Sequence, residues 1–154
     1  MPDAIMSPGL AEFVDSLETM AFVTPMPAPP DAVAPSMPRL IQIEYACPQY
    51  GAIRIAAGSA FGALLASNLL AIDPSTPEAL AASDDVLQEL ANITCGAVIR
   101  QRGLATDERL HMSLPTSEPM DTAQWDAFVA MADVQVLDAD GHIIAFQTVG
   151  LEAA

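Results

Sequence analysis

The sequence contains no lysine: its 5 basic residues are all arginine, set against 20 aspartates and glutamates, for a formal net charge of −15. That absence excludes Schiff-base catalysis and a Walker-type phosphate loop, both of which need a Lys amine. So few cations also argue against nucleic acid and anionic membrane surfaces as partners. Cysteine is nearly absent too. Cys47 and Cys95 form no C-x-x-C or other ligand spacing, and they read as reduced thiols of a cytoplasmic protein. The opening Met1-Pro2-Asp3-Ala4-Ile5-Met6 has no basic region ahead of an apolar one, so no secretory signal is expected. One stretch without charge, Ile55 to Ile72, reaches the length of a minimal membrane span. Gly58, Ser59, Gly62, Ser67 and Asn68 interrupt it, and it reads better as the end of a strand followed by a buried helix.

A length of 154 residues with 52% hydrophobic content predicts one domain over 1–154, built around a single core. A first helix is expected from Pro8 to Phe22, with Leu10, Phe13, Val14, Leu17 and Phe22 inward and Glu12, Asp15 and Glu18 outward. Residues 24–38 hold six prolines, too many for a helix or a central strand, and read as an extended connector. Leu40 to Tyr45 and Tyr50 to Ala56 alternate in polarity on either side of Pro48, which predicts an antiparallel hairpin. The Ser59 to Ile72 helix should pack through Phe61, Leu64, Leu65, Leu69 and Ile72. Its small-residue flank of Gly62, Ala63 and Ala66 leaves room for a neighbouring helix.

The second half predicts a strand over Leu110 to Leu114 ended by Pro115, then a short helix opened by Asp121 and Gln124 as a capping box and packed through Trp125, Phe128 and Val129. Val134 to Leu137 and Ile143 to Val149 should form a closing hairpin. Asp138-Ala139-Asp140-Gly141 shares features with a calcium loop but lacks its later ligands, so a tight turn is the better account. His111 and His142 have no companion ligand at metal-binding spacing and read as surface residues, and Cys95, with no recognisable His partner, reads as a packed thiol.

The most informative stretch is Asp84 to Arg102. Val86, Leu90, Ile93 and Ala97 are expected to face the core, and Ser83 to cap the helix with Asp84 and Asp85 in its first turn. The opposite side aligns Asp85, Glu89, Asn92 and Gly96 at spacings of four, three and four. A glycine inside a helix costs about 1 kcal/mol relative to alanine, so its place beside an acid and an amide suggests that something approaches closely there.

The string Glu89-Leu90-Ala91-Asn92-Ile93-Thr94-Cys95-Gly96 resembles the E-x-x-N signature of the CheC, CheX and FliY group of chemotaxis phosphatases, most closely its CheX branch. Phe13 to Phe22, Leu110 to Pro115 and the turn around Asp138 to Gly141 follow in the family's order and spread the resemblance over most of the chain. The first helix carries no E-x-x-N, so one site is expected where duplicated members of the group have two. The elements together predict an α+β fold: a largely antiparallel sheet with two long helices, Ser59 to Ile72 and Asp84 to Arg102, packed on one face.

The resemblance also implies a function, dephosphorylation of the phospho-aspartate of a CheY-like response regulator in chemotaxis or a related two-component pathway. Glu89 and Asn92 would be catalytic, the Glu pairing with a receiver Lys and the Asn orienting water. Asp85, Glu89 and Gly96 would meet the partner, Gly96 being read from the stripe itself as the gap for a receiver loop, while for Asp85 the preferred reading is an acid that favours the helix N-terminus. The chain would bind no cofactor or metal itself, Mg²⁺ arriving with the receiver domain. A homodimer formed by extending the sheet across chains through the apolar final strands is a further implication. Positioning and electrostatics dominate phosphoryl transfer, so a carboxylate and a carboxamide suffice when electrophile and metal come with the substrate. Two alternatives stay open: a module that binds a receiver without hydrolysis, and a structural subunit whose function is dimerisation.

Overall fold

The computed structural model describes residues 9–150; Pro8, at the expected start of the first helix, and the Met1 to Met6 stretch lie outside the described residues. The order of elements is α1 Leu10–Ala21, β1 Pro25–Pro27, β2 Pro38–Ala46, β3 Tyr50–Gly58, α2 Ser59–Leu70, α3 Pro77–Gln101, β4 His111–Met112, β5 Thr116–Pro119, α4 Thr122–Val129, β6 Gln135–Ala139 and β7 His142–Val149. All strand pairs are antiparallel, in the order β1-β6-β7-β3-β2-β4, with β5 also on β2. The α+β class, the antiparallel sheet and the two long helices on one face are as the sequence predicts.

The β2–β3 hairpin is the frame of the sheet. Ile41 pairs with Ile55 and Ile43 with Ile53, so their side chains share one face, as alternation along a strand requires. With Leu137, Ile144 and Phe146 they form the floor on which α1, α2 and α3 lie. Phe13 of α1 stacks on Phe146 of β7, with ring centroids 4.4 Å apart. The opposite parity, Ala56 and Ala145, meets Trp125 and Phe128 of α4. Buried apolar side chains therefore occupy both sides of the sheet, and not the single core expected. The α4 helix opens as predicted: Asp121 Oδ1 accepts from Gln124 N, and Gln124 Oε1 accepts from Asp121 N.

Several local expectations are corrected. Phe22 is the C-cap of α1, with φ 59°, and is 83% exposed; the helix ends one residue earlier, and Ala21 and Val23 take its place in the core. Within the Pro-rich connector, Pro25–Pro27 is an edge strand on β6, a position where prolines lacking N–H are tolerated. In α2, Leu69 is exposed while Gly62, Ala63 and Ala66 are buried, so the small flank carries the packing. The strand after α3 is broken in two: Leu114 is 85% exposed, Ser113 Oγ accepts from Glu44 N, and pairing resumes beyond Pro115 as β5. The β6–β7 hairpin turns through Asp140 (φ 57°) and Gly141 (φ 88°), with Asp138 Oδ1 accepting from Gly141 N, a tight turn as predicted.

This topology also bears on the expected assembly. The final strands are not free edges: β7 lies between β3 and β6, and β6 is covered on its other side by β1. Extension of the sheet across chains through those strands is closed off by the fold itself. Among the described residues, no helix is long and apolar enough to cross a membrane; Ile55 to Gly58 end β3, and α2 follows.

Candidate functional site

The site helix is α3, and it starts earlier than its sequence suggests. Thr76 is the N-cap, its Oγ1 accepting from Ala79 N at 3.2 Å, with Pro77 at the first helical position and Glu78 in the first turn. Ser83, expected as the cap, lies inside the helix. Its hydroxyl donates to Ser59 O at 2.9 Å and so ties α3 to the start of α2. At this crossing a Cβ on Gly62 would overlap Ser83 Oγ and stand 2.8 Å from its carbonyl oxygen, so only glycine permits the approach. Ala63, Ala66 and Ala79 close the same seam.

The phase of α3 differs from the expected one. Leu87, Leu90, Ala91, Cys95 and Val98 face the core, whereas Val86 and Ala97 are half-buried and Ile93 is 36% exposed. A stripe spaced by threes and fours has neighbouring solutions, and the sheet selects the one rotated toward Ala91 and Cys95. A second anchor was not visible in the sequence. Arg39 Nε lies 3.1 Å from Asp84 Oδ1 and donates to Ser117 Oγ, which also bonds Asp84, so β2, β5 and α3 are tied together.

The opposite face carries the predicted residues. Asp85, Glu89 and Asn92 are exposed and Gly96 is half-exposed, all on the side away from the sheet. Glu89 and Asn92 make no side-chain hydrogen bond or ion pair among the described residues. Asp85 sits more than two turns into the helix, so its preferred reading as a first-turn acid is corrected: the macrodipole is felt only in the terminal turn, and Glu78 occupies it. A Cβ on Gly96 would meet only Arg100 Nη1, at 3.4 Å, so unlike Gly62 it answers no packing demand of its own chain.

Two residues of this face escaped the sequence reading. The sequence pattern places Ile93 in the core, yet it lies one turn beyond Glu89 and beside Asn92 on the exposed side. Arg100 follows Gly96 by four residues, and that spacing was the signal that could have found it.

The stripe is convex. A groove of about 560 Å³ does lie near α3, lined by Met37, Arg39, Leu80, Asp84 and Met120 among others, but neither Glu89 nor Asn92 borders it. A carboxylate and a carboxamide on an open helix face cannot enclose a small molecule or exclude water from it. They can act only against a surface that arrives and covers them.

The strongly shifted titrating groups lie elsewhere. Hydrogen bonds from Arg109 hold the Asp107 carboxyl well below the usual carboxylate range. Burial pushes the Cys95 thiol up to about 11, consistent with a packed thiol and not a nucleophile. His111 is exposed as expected, while His142 is half-buried, its ring 5.8 Å from that of Phe61. Among the described residues no group of three or more His, Cys, Asp or Glu could hold a metal ion.

No protein-family model matches the sequence. A search of curated proteins likewise finds no match. The fold, however, is that of solved chemotaxis proteins. CheX from Desulfovibrio desulfuricans superposes with a TM-score of 0.62 at 11% identity, over 92% of this chain and 95% of that one. CheX from Vibrio vulnificus gives 0.61 at 16% identity, over 92% and 97%. A chain of the CheX-CheY-BeF3-Mg²⁺ complex from Borrelia burgdorferi gives 0.58 at 14%, over 95% and 96%. The resemblance read from the E-x-x-N stretch and its ordered context is thus matched at the level of the fold.

Proposed function

We propose that this chain dephosphorylates the phospho-aspartate of a CheY-like receiver domain in chemotaxis or two-component signalling. The observation that carries the reading is the convex pair itself: Glu89 and Asn92 stand one turn apart, exposed and unengaged by their own chain, on a helix tied to α2 through Ser83 and to β2 through Asp84. A likeness of fold to a chain solved together with CheY, BeF3 and Mg²⁺ supports the choice of partner.

In this reading Glu89 holds the partner through a cationic side chain of the receiver. Asn92, whose amide both donates and accepts, orients a water for in-line attack on phosphorus. Asp85 and Gly96 complete the contact, the first as an acid beyond the dipole's reach and the second as the gap that admits a receiver loop. Mg²⁺ belongs to the receiver and supplies charge neutralisation there. The chain's own residues position water and partner, and the receiver's arrival removes bulk solvent from the pair. Solution in the cytoplasm follows from the same partner. A homodimer is compatible with this function, but it would be built away from β6 and β7.

The test is decay of phosphate from a ³²P-labelled CheY-like receiver of the same organism with Mg²⁺ present. Accelerated decay with the wild-type chain is the expected result. Unchanged lifetimes across all of the organism's receivers would end the catalytic reading. The alternative of a non-hydrolytic receiver-binding module is then distinguished by whether a receiver still binds.

A further inference from the structure

Cations are scarce enough in this chain that each can be followed. Arg39 is held by Asp84 and Ser117, Arg54 bonds Gln42 and Gln147, Arg109 pairs with Asp107, and Arg102 also has an interaction. Of the five arginines, all among the described residues, Arg100 is the one whose side chain makes no hydrogen bond or ion pair, in a protein with 20 acids to choose from. It is exposed, and it lies on the face that carries Glu89 and Asn92. Its direction is fixed by geometry. Helical side chains lean toward the N-terminus, and Arg100 Nη1 reaches back to within 3.4 Å of where a Cβ on Gly96 would stand. One end of the guanidinium therefore stands beside the glycine, about 6 Å along the axis from Asn92 at 1.5 Å rise per residue.

Resting on the reading above, we infer that Arg100 is a partner-binding residue that takes a carboxylate on the rim of the receiver, beside the gap that Gly96 leaves for a receiver loop. The distance separates it from the water that Asn92 orients, so its contribution falls on docking and not on the chemical step. The charge balance gives it a reason to exist. A chain of net charge −15 approaching an acidic phosphorylated site meets repulsion, and one unpaired guanidinium on the contact stripe supplies a local charge of the opposite sign. A planar fork also matches a carboxylate bidentately, which a lysine would not do. The competing role is structural, because Arg100 is the basic residue of the last turn of α3 and favours the helix C-terminus electrostatically.

The experiment measures affinity of the full chain for a CheY-like receiver capped with beryllofluoride and Mg²⁺, at low and high salt, with turnover of the phosphorylated receiver followed in parallel. Arg100→Ala should bind about tenfold more weakly, with a shallower salt dependence, and the loss should fall on KM rather than kcat. Arg100→Lys keeps the charge that a helix-terminus role needs and should keep the melting temperature, yet still bind severalfold more weakly. Wild-type affinity in both variants overturns the inference, as does a fall in kcat with affinity intact, which would place the guanidinium on the phosphoryl group. Failure of the phosphatase reading looks different: no acceleration by the wild type, while binding and its dependence on Arg100 persist. Absence of binding to every receiver overturns both.

Discussion

Two glycines of this fold make opposite predictions, and the difference measures what Gly96 is for. Replacing it by alanine adds one methyl to an exposed helix face, where the nearest heavy atom is the flexible tip of Arg100 at 3.4 Å. That tip can shift by a few tenths of an ångström at little cost. The helix meanwhile gains roughly 0.5–1 kcal/mol, because alanine loses less backbone freedom than glycine. Gly96→Ala should therefore raise stability, moving the melting midpoint by about 2–4 °C per kcal/mol for a chain of this size. Gly62→Ala should do the reverse, costing about 1–3 kcal/mol, because its methyl would overlap Ser83 at the α2–α3 crossing. Urea titrations give both values, provided that the midpoint moves without a change in slope. The same Gly96→Ala protein should be slower on a phosphorylated receiver, by roughly tenfold if a partner loop occupies the gap. A loss of stability would show that the glycine serves its own chain. A gain in stability with receiver activity intact would refute the reasoning that something approaches closely there.

Two further outcomes follow from groups buried beneath the stripe. Thr94 Oγ1 is fully buried with no hydrogen-bond partner, so Thr94→Val should stabilise the chain by about 1 kcal/mol in urea titrations; a loss would show that the hydroxyl is engaged after all. Burial raises the Cys95 thiol from 9 to about 11, so the folded state favours the neutral form. Its contribution is whole below pH 9 and is lost as pH rises through about 11, on the order of 2 kcal/mol. Stability measured against pH should fall more steeply over that window in the wild type than in Cys95→Ala, and equal slopes would contradict the assignment.

The parts of this fold that the sequence reveals are those set by neighbours in the chain. The alternation of Ile41 and Ile43 against Ile53 and Ile55, the Asp121–Gln124 capping box and the Asp140-Gly141 turn are local, and each forms as its residues predict. The polar stripe of α3 is legible for the same reason, since exposed residues at helical spacing need only the helix. What was hidden depends on tertiary contact. Ser83 looks like a cap because its hydroxyl is free to be one in sequence; in the fold it is spent on Ser59, and Thr76 begins the helix instead. The phase of the apolar stripe is decided by the sheet, so helical spacing alone points Ile93 inward although it lies outside. Pro25–Pro27 and Thr116–Pro119 carry too few residues to announce themselves as strands. They form because β6 and β2 offer edges to pair with. Trp125 and Phe128 announce a helix, and which face of the sheet it covers emerges only from the topology.

The central claim is that Asn92 positions the attacking water while the rest of the stripe holds the receiver. The measurement that tests it most directly is single-turnover hydrolysis of a phosphorylated CheY-like receiver at saturating chain, comparing wild type with Asn92→Ala and with binding to the beryllofluoride-capped receiver measured alongside. The account predicts that Asn92→Ala still binds but that the phosphate then decays no faster than from the receiver alone. Acceleration by Asn92→Ala equal to that of the wild type would contradict it.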